Sequence, residues 1–421
     1  MNAKTEIGQS GFSIGFVLEK LRDSGQTNCV LENLHSFESN DITGGAAFFS
    51  EIYSVKFNWK FGIKPERVVL KASFFFSNLK VENLKIPKLI GVEHLRKTND
   101  DPEFMEVVKE KFAKHLERAH KLEGRVYNFY AHTSEKLKLP EFYYSSPYKH
   151  DANTGIIMME DLTQWAKTVK LIPGFDNQQI ENLFDELAKL HSVSLQDRSW
   201  TKAPEFVELP PANLFLQEMI EVIKKLLIID EKRFHDLVPK IIKFCNEKTF
   251  YNAFHDDDKF GFPTILVHGD LWSSNVLWKI DSCGNSTSEL AAIIDWQMAA
   301  QGNPGIDLSR ALAMNTSAKY RRENTDRLLK FYLEKLEKYL GKPPPMNFSQ
   351  LKNAYNYSLG FCAVFIGYGT PSYYNMESIV GDPADDSVKE ELLERCSAIL
   401  EDMLQRQITG ILDKVDIRLH S

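Results

Sequence analysis

The stretch Leu266-Val-His-Gly-Asp-Leu-Trp-Ser-Ser-Asn275 organises this chain of 421 residues. It ends an apolar run that predicts a buried strand, and it continues as a polar turn. A second apolar run, Ala291–Ile294, predicts another strand and is followed by Asp295. Phosphoryl transfer from a magnesium nucleotide requires a carboxylate near the attacking hydroxyl, and an amide and a second carboxylate for the metal ions. Asp270, Asn275 and Asp295 can fill these roles in that order.

The composition excludes several other classes of protein. A formal net charge of −7 provides no basic field for a phosphate backbone, which argues against a nucleic-acid partner. Five dispersed cysteines without a Cys-x-x-Cys pair disfavour a zinc site and are typical of a reducing compartment. Met1–Gly11 lacks a signal-peptide pattern, and the apolar run Phe361–Ile366 is too short to span a bilayer. We therefore expect a cytosolic protein of two or three subdomains that does not enter a membrane.

The first part of the chain is predicted to be rich in strands. Phe48–Trp59 shows alternation, and Val68-Val69-Leu70-Lys71 places a lysine at the end of an apolar strand. A lysine there needs an acidic partner or a path to water. The long helix predicted over Pro102–His132 carries the candidate partners Glu106, Glu110, Glu117 and Glu123. Gly44-Gly45 could bring backbone N–H groups to a phosphate, although a hairpin turn is the commoner use of this dipeptide.

The remainder of the chain is predicted to be mainly helical. Thr154–Met159 predicts one more strand, and Glu160-Asp161-Leu162 follows it. Leu277–Ile280 and Glu289–Ile294 flank a turn rich in Ser, Gly and Asn, which predicts a hairpin. Apolar residues at helical spacing predict helices over 180–191, 215–227, 234–244, 318–340, 348–366 and 388–412.

The order of these motifs resembles that of a known enzyme group. Val68-x-Leu-Lys71, His268-Gly-Asp-x-x-x-x-Asn275 and Ile293-Ile-Asp-Trp296 are similar to motifs of the aminoglycoside phosphotransferase and choline kinase group. Within that group, the chain looks most like the ecdysteroid kinase-like (CHK kinase-like) family, particularly its nematode branch. The resemblance implies an α+β, protein-kinase-like fold of two lobes. A small strand-rich lobe would cover 1–159, and a larger, mainly helical lobe would cover 160–421.

The resemblance also implies roles for individual residues. Asp270 matches the catalytic aspartate, and Asn275 and Asp295 match the magnesium ligands. Lys71 matches the lysine that holds the nucleotide phosphates. Glu123, in Glu123-Gly-Arg-Val-Tyr, matches its glutamate partner.

Further matches concern the nucleotide and the support of the catalytic turn. Gly45 and Ser50 match a phosphate loop in which Ala47 replaces the usual asparagine, so one loop contact would be missing. Met158–Leu162 matches the adenine hinge, and its candidate contacts are Met159, Glu160, Asp161 and Leu162. Asp307 matches the aspartate that supports the catalytic loop. His268 is interpreted as a structural histidine that bonds backbone.

The resemblance implies that ATP and Mg²⁺ serve as cofactors and that the γ-phosphoryl group moves to a hydroxyl of a small molecule. Aromatic residues in the C-terminal part favour a sterol-like or other lipophilic alcohol over a small hydrophilic cation. They are Tyr355, Tyr357, Phe361, Phe365, Tyr368, Tyr373 and Tyr374. Two alternatives remain open: a choline- or ethanolamine-type kinase, and a non-catalytic kinase-like protein that binds a ligand.

Overall fold

The computed structural model describes residues 2–43, 50–73, 102–149, 154–206, 213–246, 249 and 260–408. The described residues up to Ala166, apart from Glu135–Lys138, form one compact unit. Glu135–Lys138 and the described residues from Lys167 onward form a second unit. The first unit is rich in strands and the second is mainly helical, which confirms the predicted α+β class.

The strands of the described part are β1 (Leu34–Asp41), β2 (Ser50–Trp59), β3 (Arg67–Ser73), β4 (Phe142–Lys149), β5 (Thr154–Glu160), β6 (Ala166–Lys167), β7 (Ile265–Val267), β8 (Val276–Ile280), β9 (Ser286–Ile293) and β10 (Ala300–Gly302). The α-helices are α1 (Ile14–Asp23), α2 (Pro102–Ala131), α3 (Asn177–Gln196), α4 (Asn213–Lys224), α5 (Leu226–Ile229), α6 (Glu231–Phe234), α7 (Val238–Ile241), α8 (Gly305–Asn315), α9 (Ala318–Leu340), α10 (Phe348–Tyr373), α11 (Glu377–Val380) and α12 (Asp386–Ile408). Among these helices, none is long and apolar enough to cross a bilayer.

The first unit is built on a five-stranded antiparallel sheet in the order β1-β2-β3-β5-β4. Because side chains alternate along a strand, Val55, Val68, Leu70 and Met158 share one face of the sheet. These residues are buried with apolar residues of α1. Lys71 follows Leu70 and therefore lies on the opposite face of the sheet.

In the second unit, a β-hairpin is fixed to a helix by hydrogen bonds. Antiparallel β8 and β9 form the predicted hairpin, in which Val276 pairs with Ile293. Two side chains of α3 fasten this hairpin: Gln179 Nε2 donates to Thr287 O at 3.1 Å, and Asn182 Nδ2 donates to Ser288 O at 2.6 Å. Helix α3 itself begins with a capping box formed by Asp176 and Gln179.

The structure corrects two predicted helices. The predicted helix over 234–244 is wrong, because α6 ends at Phe234 and α7 begins at Val238. Pro239 explains this break, since its ring is tolerated in a first helical turn but not in a helix interior. The helix predicted to end at Ile366 instead continues through Pro371 to Tyr373. That extension brings Tyr373 onto Trp272, a tertiary contact that the local sequence does not encode.

Candidate active site

The turn after β7 is fixed by the shape of its backbone. Gly269 has a φ of +82°, which favours glycine. A Cβ atom added there would lie 2.5 Å from the carbonyl oxygen of Met298, so a larger residue does not fit. Met298 belongs to the short helical turn that follows Asp295. The two predicted site segments are therefore packed directly against each other.

Asp307, near the start of α8, binds the backbone of this turn. Its carboxylate is fully buried and accepts the N–H of His268 at Oδ2 and the N–H of Gly269 at Oδ1, both at 2.8 Å. His191 Nε2 lies 3.2 Å from Oδ2, and its Nδ1 lies 2.9 Å from the hydroxyl of Tyr332. Since a carboxylate only accepts, His191 donates from Nε2 to Asp307. Asp307 thus fixes the backbone that carries Asp270.

His268 is held by backbone groups through both ring nitrogens. Nε2 lies 2.9 Å from the carbonyl of Ile294, and Nδ1 lies 3.2 Å from the N–H of Asp270. These partners require a proton on Nε2 and a lone pair on Nδ1. The ring also packs on Trp296, with 4.6 Å between centroids. His268 therefore links the turn to the end of β9, and neither nitrogen is available as a general base.

The Asp270 carboxylate is held on two sides. Arg310 Nη2 donates to Oδ1 at 2.8 Å, and the Asp270 side chain is 20% exposed. Asn275 Nδ2 donates to the Asp270 carbonyl at 2.9 Å and lies 3.4 Å from Oδ2. Sequence reasoning missed Arg310. The sequence feature that could have indicated Arg310 is its position three residues after Asp307, which places both side chains on one face of a helix.

The two predicted metal ligands lie at one end of the hairpin. Asn275 directly precedes β8, and its carbonyl accepts the N–H of Ile294 at 3.0 Å, next to Asp295. Asp295 has a φ of +66°, a left-handed conformation that is uncommon outside glycine and concentrates at functional sites. Because the Asn275 amide nitrogen is used by Asp270, its Oδ1 is the atom left for a cation. One amide and one carboxylate oxygen suit Mg²⁺, which prefers oxygen and keeps several waters or phosphate oxygens.

Aromatic side chains lie beside Asp270. Trp272 and Tyr373 stack with 5.2 Å between centroids and 6° between planes. Burial, together with the nearby charge of Asp270, raises the pKa of Tyr373 to about 12. Phe365 lies under the guanidinium of Arg310, with 5.0 Å from Cζ to the ring centroid. Among the described residues, aromatic surface therefore lies close to Asp270.

A buried ion pair, in addition to that of Arg310 with Asp270, lies in the first unit. Lys71 Nζ lies 2.6 Å from Glu123 Oε2, and their side chains are only 9% and 2% exposed. The neighbouring His120 is also buried, which together with the charge of Lys71 lowers its pKa to about 4. The structure thus brings Lys71 together with the glutamate that the resemblance indicated, out of several glutamates on α2.

The predicted nucleotide contacts have varied surroundings. Gly45 and Ala47 lie outside the described residues, and Ser50 begins β2, where it pairs with Ser73. In the hinge, Met159 and Leu162 are buried. Glu160 Oε2 accepts the N–H of Glu141 at 3.2 Å, and burial raises the pKa of Glu160.

Asp161 turns its carboxylate into the sheet. It accepts hydrogen bonds from the Ser54 hydroxyl, from Arg67 Nε at 3.1 Å and from the Thr163 N–H at 2.9 Å. Burial alone would raise the pKa of Asp161, but the bonds from Ser54, Thr163 and Arg67 hold it below its usual value. The Asp161 side chain is therefore engaged by other residues of the first unit.

Comparison with known proteins places the chain in a family. The family model described as "DUF1679: Uncharacterized oxidoreductase dhs-27" matches residues 17–408. The chain belongs to the DUF1679 family. Within curated proteins, this DUF1679 chain is similar to the "uncharacterized kinase-like protein D1044.1" of Caenorhabditis elegans, with 27% identity over 281 residues. That match covers 63% of this chain and 70% of the relative.

A second relative carries a different description. The "uncharacterized oxidoreductase dhs-27" of Caenorhabditis elegans is 23% identical to the DUF1679 chain over 416 residues. The match covers 96% of this chain but 47% of that protein. The chain therefore spans about half the length of this relative.

A solved structure identifies the type of fold. The crystal structure of choline kinase from Cryptosporidium parvum Iowa II has a TM-score of 0.52 and 12% identity. The similarity covers 96% of the DUF1679 chain and 98% of the choline kinase chain. The DUF1679 chain therefore has a kinase-like fold, which confirms the predicted fold class.

Proposed function

We propose that this protein transfers the γ-phosphoryl group of ATP to a hydroxyl group of a small molecule. The observation that carries the proposal is the Asp270 carboxylate, partly exposed and fixed by Arg310 and Asn275 on a turn that Asp307 holds. Asn275 and Asp295 lie next to it at the end of one hairpin. This set of residues contains the parts that phosphoryl transfer to an alcohol requires.

In the proposed reaction, Asp270 orients the acceptor hydroxyl. The hydroxyl oxygen forms a bond to the γ-phosphorus while the bond between that phosphorus and the β,γ-bridging oxygen breaks. The hydroxyl proton passes to Oδ2 of Asp270, and ADP leaves. Magnesium held by Asn275 Oδ1 and Asp295 would neutralise charge on the phosphate oxygens. The rate enhancement would come mainly from positioning and charge stabilisation.

Lys71 and Glu123 are proposed to act on the nucleotide. A lysine in a buried strand is costly to desolvate, and Glu123 offsets this cost at 2.6 Å. Glu123 fixes the position of the Lys71 ammonium group, as the partner of a phosphate-positioning lysine does in kinases. Ser50 and Gly45 would contact the phosphates, and the backbone of Met159–Leu162 would contact the adenine.

The acceptor is proposed to be an uncharged, lipophilic alcohol, as in the ecdysteroid kinase-like family. Trp272, Tyr373 and Phe365 provide apolar surface near Asp270. Arg310 adds a buried positive charge beside the carboxylate. The charges of Arg310 and Asp270 offset each other, so the apolar surface is the observation that favours an uncharged acceptor over choline or ethanolamine.

The features of this chain do not support the oxidoreductase description that the second relative carries. Dinucleotide-binding folds use a parallel sheet and a Gly-x-Gly-x-x-Gly turn. The chain has no Gly-x-Gly-x-x-Gly sequence, and each strand pair with a described register is antiparallel. These observations support phosphoryl transfer over hydride transfer.

A panel of acceptors tests the proposal. Purified protein with MgATP would be incubated with sterols including ecdysteroids, glycosides, ethanolamine, choline and the uncharged carbon isostere of choline. We expect a phosphate ester from an uncharged lipophilic alcohol, a preference for the isostere over choline, and no product from Asp270→Asn. Preference for choline would contradict the acceptor class. Equal turnover by Asp270→Asn would contradict the role of Asp270.

A further inference from the structure

Arg310 is a buried cation whose position is set by the catalytic turn. It is 3% exposed and lies on α8, where its Nη2 donates to Asp270 Oδ1 at 2.8 Å. Its guanidinium lies over the Phe365 ring, with 5.0 Å from Cζ to the centroid. Among the described residues, its Nε and Nη1 atoms are buried without a hydrogen-bond acceptor. Asp270 is therefore the acceptor that compensates the buried charge of Arg310.

A second buried arginine, Arg395, has a structural role and serves as a comparison for Arg310. Arg395 on α12 donates from Nη1 to Leu171 O at 2.8 Å and to Met314 O at 3.1 Å. It also donates from Nη2 to Pro173 O and from Nε to Glu391 at 2.6 Å. Its donors are distributed over several segments that they join. Arg310 has no comparable set, so fastening the fold does not explain its burial.

We propose that Arg310 is a positioning residue that fixes the Asp270 carboxylate for transfer. This inference rests on the proposed function. The guanidinium takes up Oδ1, and the Asn275 amide lies 3.4 Å from Oδ2. With Oδ1 engaged, rotation of the carboxylate is restricted and Oδ2 is the atom presented to the acceptor hydroxyl. Arg310 acts through Asp270 and does not itself touch the reacting atoms.

An unfolding cycle tests the contact without requiring activity. Urea midpoints would be measured for Asp270→Asn, Arg310→Gln and the double variant. If the two side chains hold each other, the midpoint shift of the double variant is smaller than the sum of the single shifts. Arg395→Gln combined with Asp270→Asn is the matched control, for which we expect additive shifts. Additive shifts for Arg310 and Asp270 would overturn the proposal.

Kinetics separate positioning from a structural role. With the alcohol that the wild type phosphorylates, Arg310→Gln should lower kcat about 100-fold through misplacement of Asp270, with KM for ATP nearly unchanged. Arg310→Lys, which keeps the charge, should recover part of kcat, and it provides a second variant if the glutamine variant does not fold. Unchanged kcat in Arg310→Gln, or equal loss in the lysine and glutamine variants, would overturn the proposal.

The two experiments distinguish a failure of the proposed phosphotransferase function from a failure of the proposed role of Arg310. Absence of wild-type turnover with every alcohol would contradict the proposed phosphotransferase function. The unfolding cycle would still decide whether Arg310 and Asp270 are coupled, since it uses no substrate. Coupling together with the kcat loss in Arg310→Gln is the result that the proposal expects.

Discussion

At the scale of single residues, each unit contains an ion pair of candidate residues that is costly to bury. Lys71 with Glu123 and Arg310 with Asp270 place charges where water is largely excluded. Desolvation of such pairs often cancels their attraction, so a buried pair is weak support for a stabilising role. Stability of the fold therefore does not by itself account for the burial of these pairs.

Substitution of Lys71 should affect both binding and stability. Lys71→Met removes the positive charge from the proposed phosphate site and leaves Glu123 buried without its partner lysine. We expect at least a tenfold weaker MgATP affinity and a loss of about 3–5 kcal/mol in unfolding free energy. Titration calorimetry and urea unfolding measure the two effects.

The matched control for this substitution lies on the surface of the same unit. Lys64 pairs with Glu66, but their side chains are 75% and 60% exposed. Lys64→Met should therefore change the unfolding free energy by less than about 1 kcal/mol and leave MgATP affinity unchanged. Equal affinities of Lys71→Met and the wild type would contradict the assignment of Lys71 to the phosphates.

Local sequence predicts proximity where residues are close along the chain. Asp270 and Asn275 stand five residues apart, and the structure places them in hydrogen-bond contact on one turn. The choice of Glu123 required the family resemblance, because several glutamates on one helix look alike in sequence. Arg310 was missed because its contact with Asp270 is tertiary and spans forty residues of sequence.

At the scale of elements, α8 supports the turn that carries Asp270. Asp307 accepts the N–H groups of His268 and Gly269, Arg310 binds the side chain of Asp270, and Asn315 Nδ2 donates to Leu271 O at 3.2 Å. One helix therefore contacts four consecutive residues of the turn. Displacement of α8 would move Asp270 directly.

Gly269 provides a test of this packing. Gly269→Ala should destabilise the protein by about 3 kcal/mol, because a left-handed alanine costs roughly 1–2 kcal/mol and the clash with Met298 adds to it. The turn would shift to relieve the clash, so turnover should fall together with stability. Thermal or urea unfolding and the transfer assay measure the two quantities.

Gly284 is the control, since it has a φ of +79° but no atom within 4 Å of an added Cβ. Gly284→Ala should therefore show the backbone cost of about 1–2 kcal/mol alone, with normal turnover. If both alanine variants lose the same stability and keep turnover, the tight packing of the turn is contradicted.

A buried carboxylate on α3 holds the segment before β4. Glu186 Oε1 accepts the N–H of Lys138 at 2.6 Å, and the Lys138 carbonyl accepts the N–H of Ile293 at 2.9 Å. Burial raises the pKa of Glu186 from 4.5 to about 7. Lys138 is thereby linked to the strand that leads to Asp295.

The raised pKa of Glu186 predicts a dependence of stability on pH. The folded state binds the proton more tightly, so the stabilising contribution is complete below about 4.5 and is lost as the pH rises to about 7. Relative to Glu186→Gln, the wild type should lose about 2–3 kcal/mol between pH 5 and pH 8. Urea unfolding across this range measures the difference.

Glu181→Gln, on the same helix but in a pair with Arg327, is the matched control for this substitution. It should lose stability between the two pH values as the wild type does. Parallel stability curves for the wild type and Glu186→Gln would show that the ionisation of Glu186 does not differ between the folded and unfolded states, and would contradict this account.

The sequence patterns of two elements, α8 and β4, do not predict their secondary structure, and each has a physical reason. Every residue of α8 is buried, so the helix shows no alternation between an apolar and a polar face. Strand β4 contains Pro147 and serines, which weaken a strand pattern. The amphipathic helix α9 was predicted at its observed bounds, because Ser317 caps its start and Gly341 ends it.

At the scale of the whole chain, the fold is similar to that of a choline kinase over 96% of the chain. Fold alone does not determine function. The candidate residues carry the functional argument: Lys71 and Glu123 belong to the first unit, and Asp270, Asn275, Asp295 and Arg310 belong to the second.

The most direct measurement follows the phosphoryl group itself. ATP carrying a heavy oxygen isotope in its γ-phosphate would be incubated with magnesium, a small-molecule extract and either the wild type or Asp270→Asn. The account predicts that mass spectrometry finds a labelled phosphate ester of an alcohol with the wild type alone. A folded wild type that forms no labelled ester, or an Asp270→Asn variant that forms as much, would contradict it.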